Sequence, residues 1–560
     1  MPDRDTTSPE AASGATPPEP PALEADATPG GGSAKGQDSL KETFESIVIA
    51  FILAFVFRAY IVEAFVIPTG SMAPTLLGAH LELRSPHTGY RFDTGKPYGR
   101  YNGQRVAVGQ APPGTRAVDP MTVTRHDVPT AARARPGDRI LVHKYIYFLS
   151  EPRRWDVVVF KNPGTPGENY IKRLVGLPHE DLYLLDGNLY VQPRGEPWRI
   201  ARKTDRPDVQ RTVWQPVYHS AYVPLPSLSS PIGREAWAVP WRADDAAARD
   251  WDLTGRDAYR YTGGGPGRIA FDFDAGPYQA AEAMYPYNQF NLARVQLHPI
   301  EDVRLAATVE LDDDADPVGL TLETTGRWDA SSPAHPTQTL RARIDDRGVA
   351  RLEVLDHPDA EPRTLAEASI DPVTPDKARR FELWYVDQHL LLYDGQRRIL
   401  EATLDLTLAQ LKSRPAPAML PEPAIEVTGP ATLRAVHLDR DLYYLAKPPP
   451  TGGHEARGGL PRSSDGTIDD GEPVRLGADE FFTLGDNSPE SADGRYWQEH
   501  DLNPWVAAEY FRDPARARAG VVPRELLIGR AFFVYFPAPH ALSHDRTGFI
   551  PNFGRMRFIH

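Results

Sequence analysis

A mainly β protein assembled from several unlike pieces is what this sequence predicts. Three observations carry that expectation. Short runs rich in β-branched residues recur along the chain between Pro/Gly turns, proline makes up 56 of 560 residues, about double its usual ~5% share, and long amphipathic helices are scarce. With 41% apolar and 10% aromatic side chains, the chain can bury more than one core, since domains run roughly 100 to 200 residues. The absence of cysteine removes disulfides, thiolate zinc sites, Fe–S clusters and cysteine nucleophiles together. A balance of 62 basic against 76 acidic side chains, net −14, withholds the basic surface that general nucleic-acid binding requires.

The chain opens on residues 1–39, which carry seven prolines and the run Gly30-Gly31-Gly32-Ser33, with Leu23 as their one large aliphatic side chain. Such a segment cannot offset its ordering entropy and reads as a flexible tail. Composition then flips at Ile47-Val-Ile-Ala-Phe-Ile-Leu-Ala-Phe-Val-Phe57, which continues through Arg58 and Glu63 to Ile67. As a helix, the 21 residues from Ile47 to Ile67 would reach about 30 Å, the thickness of a bilayer's hydrocarbon core. A cleavable signal peptide would need a short basic leader, whereas 46 residues with nine acids and three bases precede this run. A buried soluble helix is the other alternative. The expectation is a transmembrane anchor over 40–67, with Arg58 and Glu63 near the outer interface. Lys35 and Lys41 on one side, and Arg84 on the other, mark its orientation only weakly.

Beyond the anchor come β-type runs: Asp138-Arg-Ile-Leu-Val-His143, Asp156-Val-Val-Val-Phe160 and Tyr170-Ile-Lys-Arg-Leu-Val175. Three stretches among them hold chemistry. Val66-Ile-Pro-Thr-Gly-Ser-Met-Ala-Pro-Thr-Leu76 sets Ser71 between a glycine and a methionine, and is a plain turn if read by itself. In Glu168-Asn-Tyr-Ile-Lys-Arg-Leu-Val-Gly-Leu-Pro178, alternation puts Lys172 and Arg173 on opposite faces of an apolar strand, so one cation faces the more enclosed side. A lysine desolvated by about three pKa units becomes a neutral amine able to take a serine's proton, at a cost of about 4 kcal/mol. Finally, Phe481-Phe-Thr-Leu-Gly-Asp-Asn-Ser-Pro-Glu-Ser-Ala-Asp-Gly-Arg-Tyr-Trp497 follows an apolar strand with the groups of a buried hydrogen-bonded brace: Asp486, Asn487, Ser491, Asp493 and Arg495.

In this order, behind an apolar N-terminal segment, these stretches resemble bacterial type I signal peptidases, membrane-anchored serine endopeptidases that use a Ser/Lys dyad. The resemblance spans 40–79, 136–190 and 473–540. It rests also on Pro136-Gly-Asp-Arg-Ile-Leu-Val142, Trp155-Asp-Val-Val-Val-Phe160 and Ile528-Gly-Arg-Ala-Phe-Phe-Val-Tyr-Phe536. It implies Ser71 as nucleophile, Lys172 as general base, and Ser491 as the serine that orients the lysine amine. The oxyanion hole would combine the backbone N–H of Ser71 with the hydroxyl of Thr69, a threonine where the family usually has serine. Asp493 and Arg495 match a supporting ion pair, Arg173 follows the base as the pattern expects, and Asp486 and Asn487 belong to the same brace. Two departures stand out: Gly494 replaces a serine, and His179 replaces a glycine. The implied substrates are exported preproteins cut after small side chains in an Ala-x-Ala-like pattern, at the inner membrane, with one span and the catalytic domain outside the cytoplasm. No metal or cofactor is implied, and no His-Glu-x-x-His occurs.

The catalytic domain would therefore run over 68–190 and 471–560. Its first part carries an insertion at 78–135, where Ser85-Pro-His-Thr-Gly-Tyr-Arg-Phe92 looks like a zinc knuckle without its cysteines. The large insertion, 191–470, contains expected strands at 303–311, 319–325, 340–345 and 350–355, and a hairpin over 380–395 closing on Asp394-Gly395. They suggest a β-sandwich at about 235–445 resembling concanavalin-like jelly rolls, and hence a glycan or envelope partner. Trp384, Tyr385 and Tyr393 read as core-packing residues, with sugar platforms as the alternative, and Asp312-Asp313-Asp314 with Asp316 reads as a solvated turn, with calcium binding as the alternative. A catalytically idle membrane scaffold or glycan-binding protein on a peptidase frame is the competing function, against which the presence of both Ser71 and Lys172 speaks. If the insertion's ends emerge together, joining Val191 to Glu472 should leave a folded peptidase.

Overall fold

The computed structural model describes residues 35–101, 104–122, 124–130, 132–224, 238–273, 287–288, 290, 301–326, 338–357, 360–412, 421–446, 473–497, 501–511, 520–541 and 549–560. The expected tail, 1–39, lies outside them as far as residue 34. The chain forms two units, one ending at Ala59 and one running from Tyr60 to His560.

In the first unit a helix spans Lys35–Tyr60 and leaves Ile47, Ile49, Phe51, Ile52, Leu53 and Phe55 exposed. The helix expected to continue through Arg58 and Glu63 to Ile67 ends at Tyr60: Val62–Val66 is a strand, paired antiparallel with Arg139–His143. The strand wins there because its backbone groups find partners in a sheet, and because Glu63, expected at a membrane interface, meets Lys144 at 3.2 Å. The helical part of the apolar run, 47–60, is about 21 Å long. Among the described residues no helix is long and apolar enough to cross a membrane.

The second unit is mainly β. Its first sheet has the strand order Val62–Val66, Arg139–His143, Leu527–Phe536, Val157–Lys161, Asn169–Gly176, Glu480–Leu484, Val521–Pro523, with Arg557–Phe558 added to Leu527–Phe536. The described pairings within it are antiparallel. Val157 and Val159 enter one core with Ile140, Val142, Met72 and Leu76, while Val158 and Phe160 enter another with Leu174, Leu182 and Phe482. Both faces of the sheet are covered, so Lys172 and Arg173 are both buried rather than one alone. The pairing that closes the sheet is Asn169–Gly176 with Glu480–Leu484, strands some 300 residues apart, in which Arg173 opposes Leu484.

The insertion folds into two facing sheets. One has the order Trp251–Asp252, Ala258–Tyr261, Ala431–Arg440, Val303–Glu310, Arg379–Val386, His389–Asp394, Arg397–Thr403, with Gln215–His219 joining Ala431–Arg440. The other has the order Trp241–Ala243, Gly267–Phe271, Ala424–Val427, Leu320–Gly326, Gln338–Ile344, Val349–Leu355, Arg363–Ser369. Leu305, Leu322, Leu352, Phe381, Leu390 and Leu433 fill the space between. The hairpin closes at Asp387-Gln388, both left-handed at φ 49° and 58°, and not at Asp394-Gly395, which leads into the next strand. Trp384, Tyr385 and Tyr393 are buried, Trp384 against Trp214, so they are packing residues and not sugar platforms. Asp312 pairs with Arg260 at 2.7 Å on the surface; among the described residues the carboxylate group able to hold a cation lies elsewhere, at Asp302, Asp387 and Asp441.

In the smaller insertion, hydroxyls close the knuckle that lacks cysteines. Ser85 Oγ accepts from the backbone N–H groups of His87 and Thr88 at 3.2 Å, Thr88 Oγ1 donates to Asp119 at 2.8 Å, and the Thr122 and Thr124 hydroxyls meet at 2.7 Å.

The boundaries near 191 and 470 differ from the packing. Sandwich pairing begins at Gln215, opposite Arg440, while Ala201, Val209, Val213, Leu442 and Tyr444 pack in the same core as Phe160, Leu174 and Phe482. Joining Val191 to Glu472 would strip those five apolar side chains from that core, each worth roughly 1–3 kcal/mol when buried. Such a protein is expected to lose its cooperative thermal transition; calorimetry showing a sharp transition near that of the full chain would contradict this packing.

Candidate active site

Ser71 lies in a turn just after the first strand of the sheet, held by Ala73 N–H to the Gly70 carbonyl at 3.0 Å and by Leu76 N–H to that of Met72 at 2.9 Å. Met72 and Leu76, fully buried, anchor this turn to the core. Lys172, 4% exposed, reaches it from the middle of Asn169–Gly176: its Nζ is 2.8 Å from Ser71 Oγ and 3.1 Å from the Ile171 carbonyl oxygen. Burial drives the Lys172 pKa down from 10.5 to about 8, opposed by Asp493 and Asp486 and assisted by Arg495. No carboxylate makes a salt bridge to this amine among the described contacts, so desolvation wins.

The loop after Leu484 surrounds the pair with ions that satisfy each other. Arg173 grips Asp486 through two bonds of 2.7 Å, both side chains being fully buried, and donates to the carbonyl oxygens of Trp155 at 2.8 Å and His560 at 2.9 Å. Thr75, just past the nucleophile turn, donates to the same carboxylate. Asp493 and Arg495 form a second bidentate pair, at 2.8 and 2.7 Å, and Asp493 also accepts the Gly485 N–H at 2.9 Å. Arg495 continues to the Leu445 carbonyl at 2.8 Å and Ser488 Oγ at 2.7 Å; burial lowers its pKa, but the charge and hydrogen bond of Asp493 outweigh that and hold it above the usual value. Asn487 ties the loop to the turn: its N–H donates to the Ser71 carbonyl at 3.0 Å and its Nδ2 to the Gly70 carbonyl at 2.9 Å.

Thr69 stands exposed on the lip of a cleft of about 270 Å³ that Gly70, Asn288 and Asn487 also line. Ser491 is buried, yet its hydroxyl has no hydrogen-bond partner among the described residues and makes no bond to Lys172. The two departures from the family pattern have local causes. A side chain on Gly494 would strike the Gly520 carbonyl oxygen at 2.5 Å and the Phe482 ring at 2.8 Å, leaving no room for a serine. His179 is exposed and left-handed, φ 64°, a conformation in which glycine is unstrained. Sequence reasoning missed Thr75, which touches Asp486, and Asn288, which touches Asn487; neither belongs to a periodic pattern or a charged cluster.

The family model described as signal peptidase, peptidase S26, matches residues 118–224 and 453–536. Those segments contain Lys172, Arg173, Asp486, Asn487, Ser491, Asp493 and Arg495; Ser71 and Thr69 lie outside them. Among curated proteins, the chain is 29% identical to a signal peptidase I of Rickettsia typhi over 160 residues, 29% of this chain and 46% of that protein. Against the signal peptidase I of Rickettsia prowazekii the identity is 29% over 28% of this chain and 45% of the other. The chain thus spans about half the length of the curated relatives it matches. The likeness to type I signal peptidases is shown. Among solved structures, a carbohydrate binding module from Bacillus subtilis superposes with a TM-score of 0.22 at 11% identity, covering 36% of this chain and 96% of that one. That likeness is too slight to speak to a ligand of the insertion.

Because the folded pKa of Lys172 lies below its ordinary 10.5, the unfolded chain binds the proton more readily between about pH 8 and 10.5. The resulting penalty is present in full below about pH 8 and vanishes above 10.5. Lys172→Met is therefore expected to stabilise the fold at pH 7 by up to about 3 kcal/mol and to change nothing at pH 11. Chemical denaturation at the two pH values checks this, and a destabilised variant at pH 7 would refute it. His179→Gly should add roughly 0.5–1 kcal/mol of stability at either pH, since it removes left-handed strain at a smaller entropic cost.

Proposed function

We propose that this chain is a signal-peptidase-type serine endopeptidase in which Ser71 is the nucleophile and Lys172 the general base. The observation that carries the reading is the 2.8 Å contact between Lys172 Nζ and Ser71 Oγ inside a buried, uncompensated environment. The neutral amine takes the Oγ proton as Oγ attacks the scissile carbonyl, and the ammonium then gives that proton to the departing amine. An acyl-Ser71 ester forms, and water activated by the same amine hydrolyses it. The Ser71 backbone N–H and the Thr69 hydroxyl bind the developing oxyanion. Ser491, with a buried hydroxyl awaiting a partner, orients the amine during turnover. Arg173 with Asp486, and Asp493 with Arg495, hold the turn and loop against the strand while cancelling each other's charge. Asn487 fixes the turn's backbone.

The substrates are exported preproteins carrying small residues at an Ala-x-Ala-like site, cut at the membrane surface on the extracytoplasmic side. Exposed Ile47, Phe51, Leu53 and Phe55 on Lys35–Tyr60 support attachment to lipid through that helix, in the inner membrane. The large insertion would serve a glycan or another envelope partner.

Ser71→Ala and Lys172→Ala are expected to reduce cleavage of a purified preprotein by at least about 10⁴-fold without unfolding the protein. Lys172→Arg should fail as completely, because a guanidinium stays protonated. Substantial processing by any of the three would sink the dyad. For the parent protein, kcat/KM should rise with pH along an acid limb centred near 8, the value to which burial drives Lys172. A limb centred near 10 would mean that the base is a solvated lysine.

A further inference from the structure

The large insertion returns to the nucleophile through two residues. Asn288, 4% exposed, exchanges both amide hydrogen bonds with Asn487: its Nδ2 donates to Asn487 Oδ1 at 2.6 Å, and its Oδ1 accepts from Asn487 Nδ2 at 2.9 Å. Asn487 is the side chain that also holds the Gly70 carbonyl at 2.9 Å, and its backbone N–H holds the Ser71 carbonyl at 3.0 Å. One residue, Asn487, therefore links the insertion to the carbonyls on either side of the Ser71 Cα, through its side-chain amide to Gly70 and its backbone N–H to Ser71. An amide pair is the simplest device for this, because each partner offers a donor and an acceptor and fixes the other's orientation.

The neighbouring Tyr287 lies flat on Gly70. A methyl group at position 70 would fall 2.0 Å from the tyrosine's Cε1, so the contact exists only because residue 70 is glycine. Its hydroxyl donates to the Ala79 carbonyl at 3.4 Å, and its own carbonyl accepts from Thr94 Oγ1 at 3.2 Å. Tyr287 and Asn288 thus line the same cleft of about 270 Å³ as Pro68 and Thr69.

Resting on the peptidase reading above, we propose that the insertion completes the active site: Asn288 is a positioning residue that orients Asn487, and through it the nucleophile turn, while Tyr287 walls the substrate cleft beside Gly70. An insertion that supplies only a partner-binding domain would have no need to touch either residue. In this enzyme, recognition by the sandwich and geometry at Ser71 are physically joined.

The test is a double-mutant cycle on the full-length protein, with Asn288→Ala, Asn487→Ala and the pair, followed by peptide cleavage and by amide hydrogen exchange. Asn288→Ala should lower kcat about ten-fold with KM changed less than about two-fold, the scale of one well-placed hydrogen bond. In the Asn487→Ala background the same change should cost nothing further, because its effect runs through Asn487. Exchange of the Asn487 backbone amide should accelerate about ten-fold in Asn288→Ala, and as much in Asn288→Asp, which sets a carboxylate against Asn487 Oδ1. Additive losses in the cycle, or unchanged protection of that amide, would overturn the proposal. The exchange result stands without any enzyme activity, so a parent protein that cleaves nothing would defeat the peptidase reading alone and leave the positioning claim to be decided by protection.

Discussion

Everything near the site depends on one constraint: a lysine kept out of water with no carboxylate to itself. An ion pair would restore the charge that burial removes, and acids do lie close by. Each of them is already committed. Asp486 is gripped by Arg173, and Asp493 by Arg495, so neither acid is left to pair with the amine. Arg495 pushes the Lys172 pKa down while Asp493 pushes it up, and burial decides the outcome. Four buried charges arranged as two closed pairs can therefore scaffold the loop while the pKa of the amine stays well below that of a free lysine.

Chain order makes that arrangement demanding. The Ser71 turn, the Lys172 strand and the loop at about residue 490 lie far apart in the chain, and the strand pairing of Asn169–Gly176 with Glu480–Leu484 must form across some 300 residues. Loop-closure entropy grows only slowly with length, and the intervening chain offsets it by folding on itself. The division is not clean, however. Ala201, Val209, Leu442 and Tyr444 lie in the peptidase core, and the buried Lys203 joins Asp387 of the sandwich hairpin at 2.8 Å and Asp441 at 2.9 Å. The insertion's root is thereby built from both domains.

Much of this was readable from residue order. The three stretches around Ser71, Lys172 and Asp486 to Arg495 carry chemistry in short contiguous motifs, and the expected strands between 303 and 395 match the central strands of the sandwich from Val303–Glu310 to His389–Asp394. What escaped had physical reasons. The apolar run through Ile67 has no polar break at Tyr60, so only the partner strand Arg139–His143 shows where helix yields to sheet. The Asp387-Gln388 turn lacks the glycine that usually announces a hairpin, and it is held instead by the burial of Asp387 against Lys203. Asn288 stands in no motif at all; its partner is 199 residues away, and only the fold joins them.

The most direct test of the account is the titration of the Lys172 amine itself, followed by heteronuclear NMR on lysine-labelled protein and assigned by the signal missing from Lys172→Met. A buried base held between two closed ion pairs predicts a midpoint near 8. A midpoint at or above 10.5 would mean that burial does not lower the pKa of the amine, and would contradict the mechanism at its root.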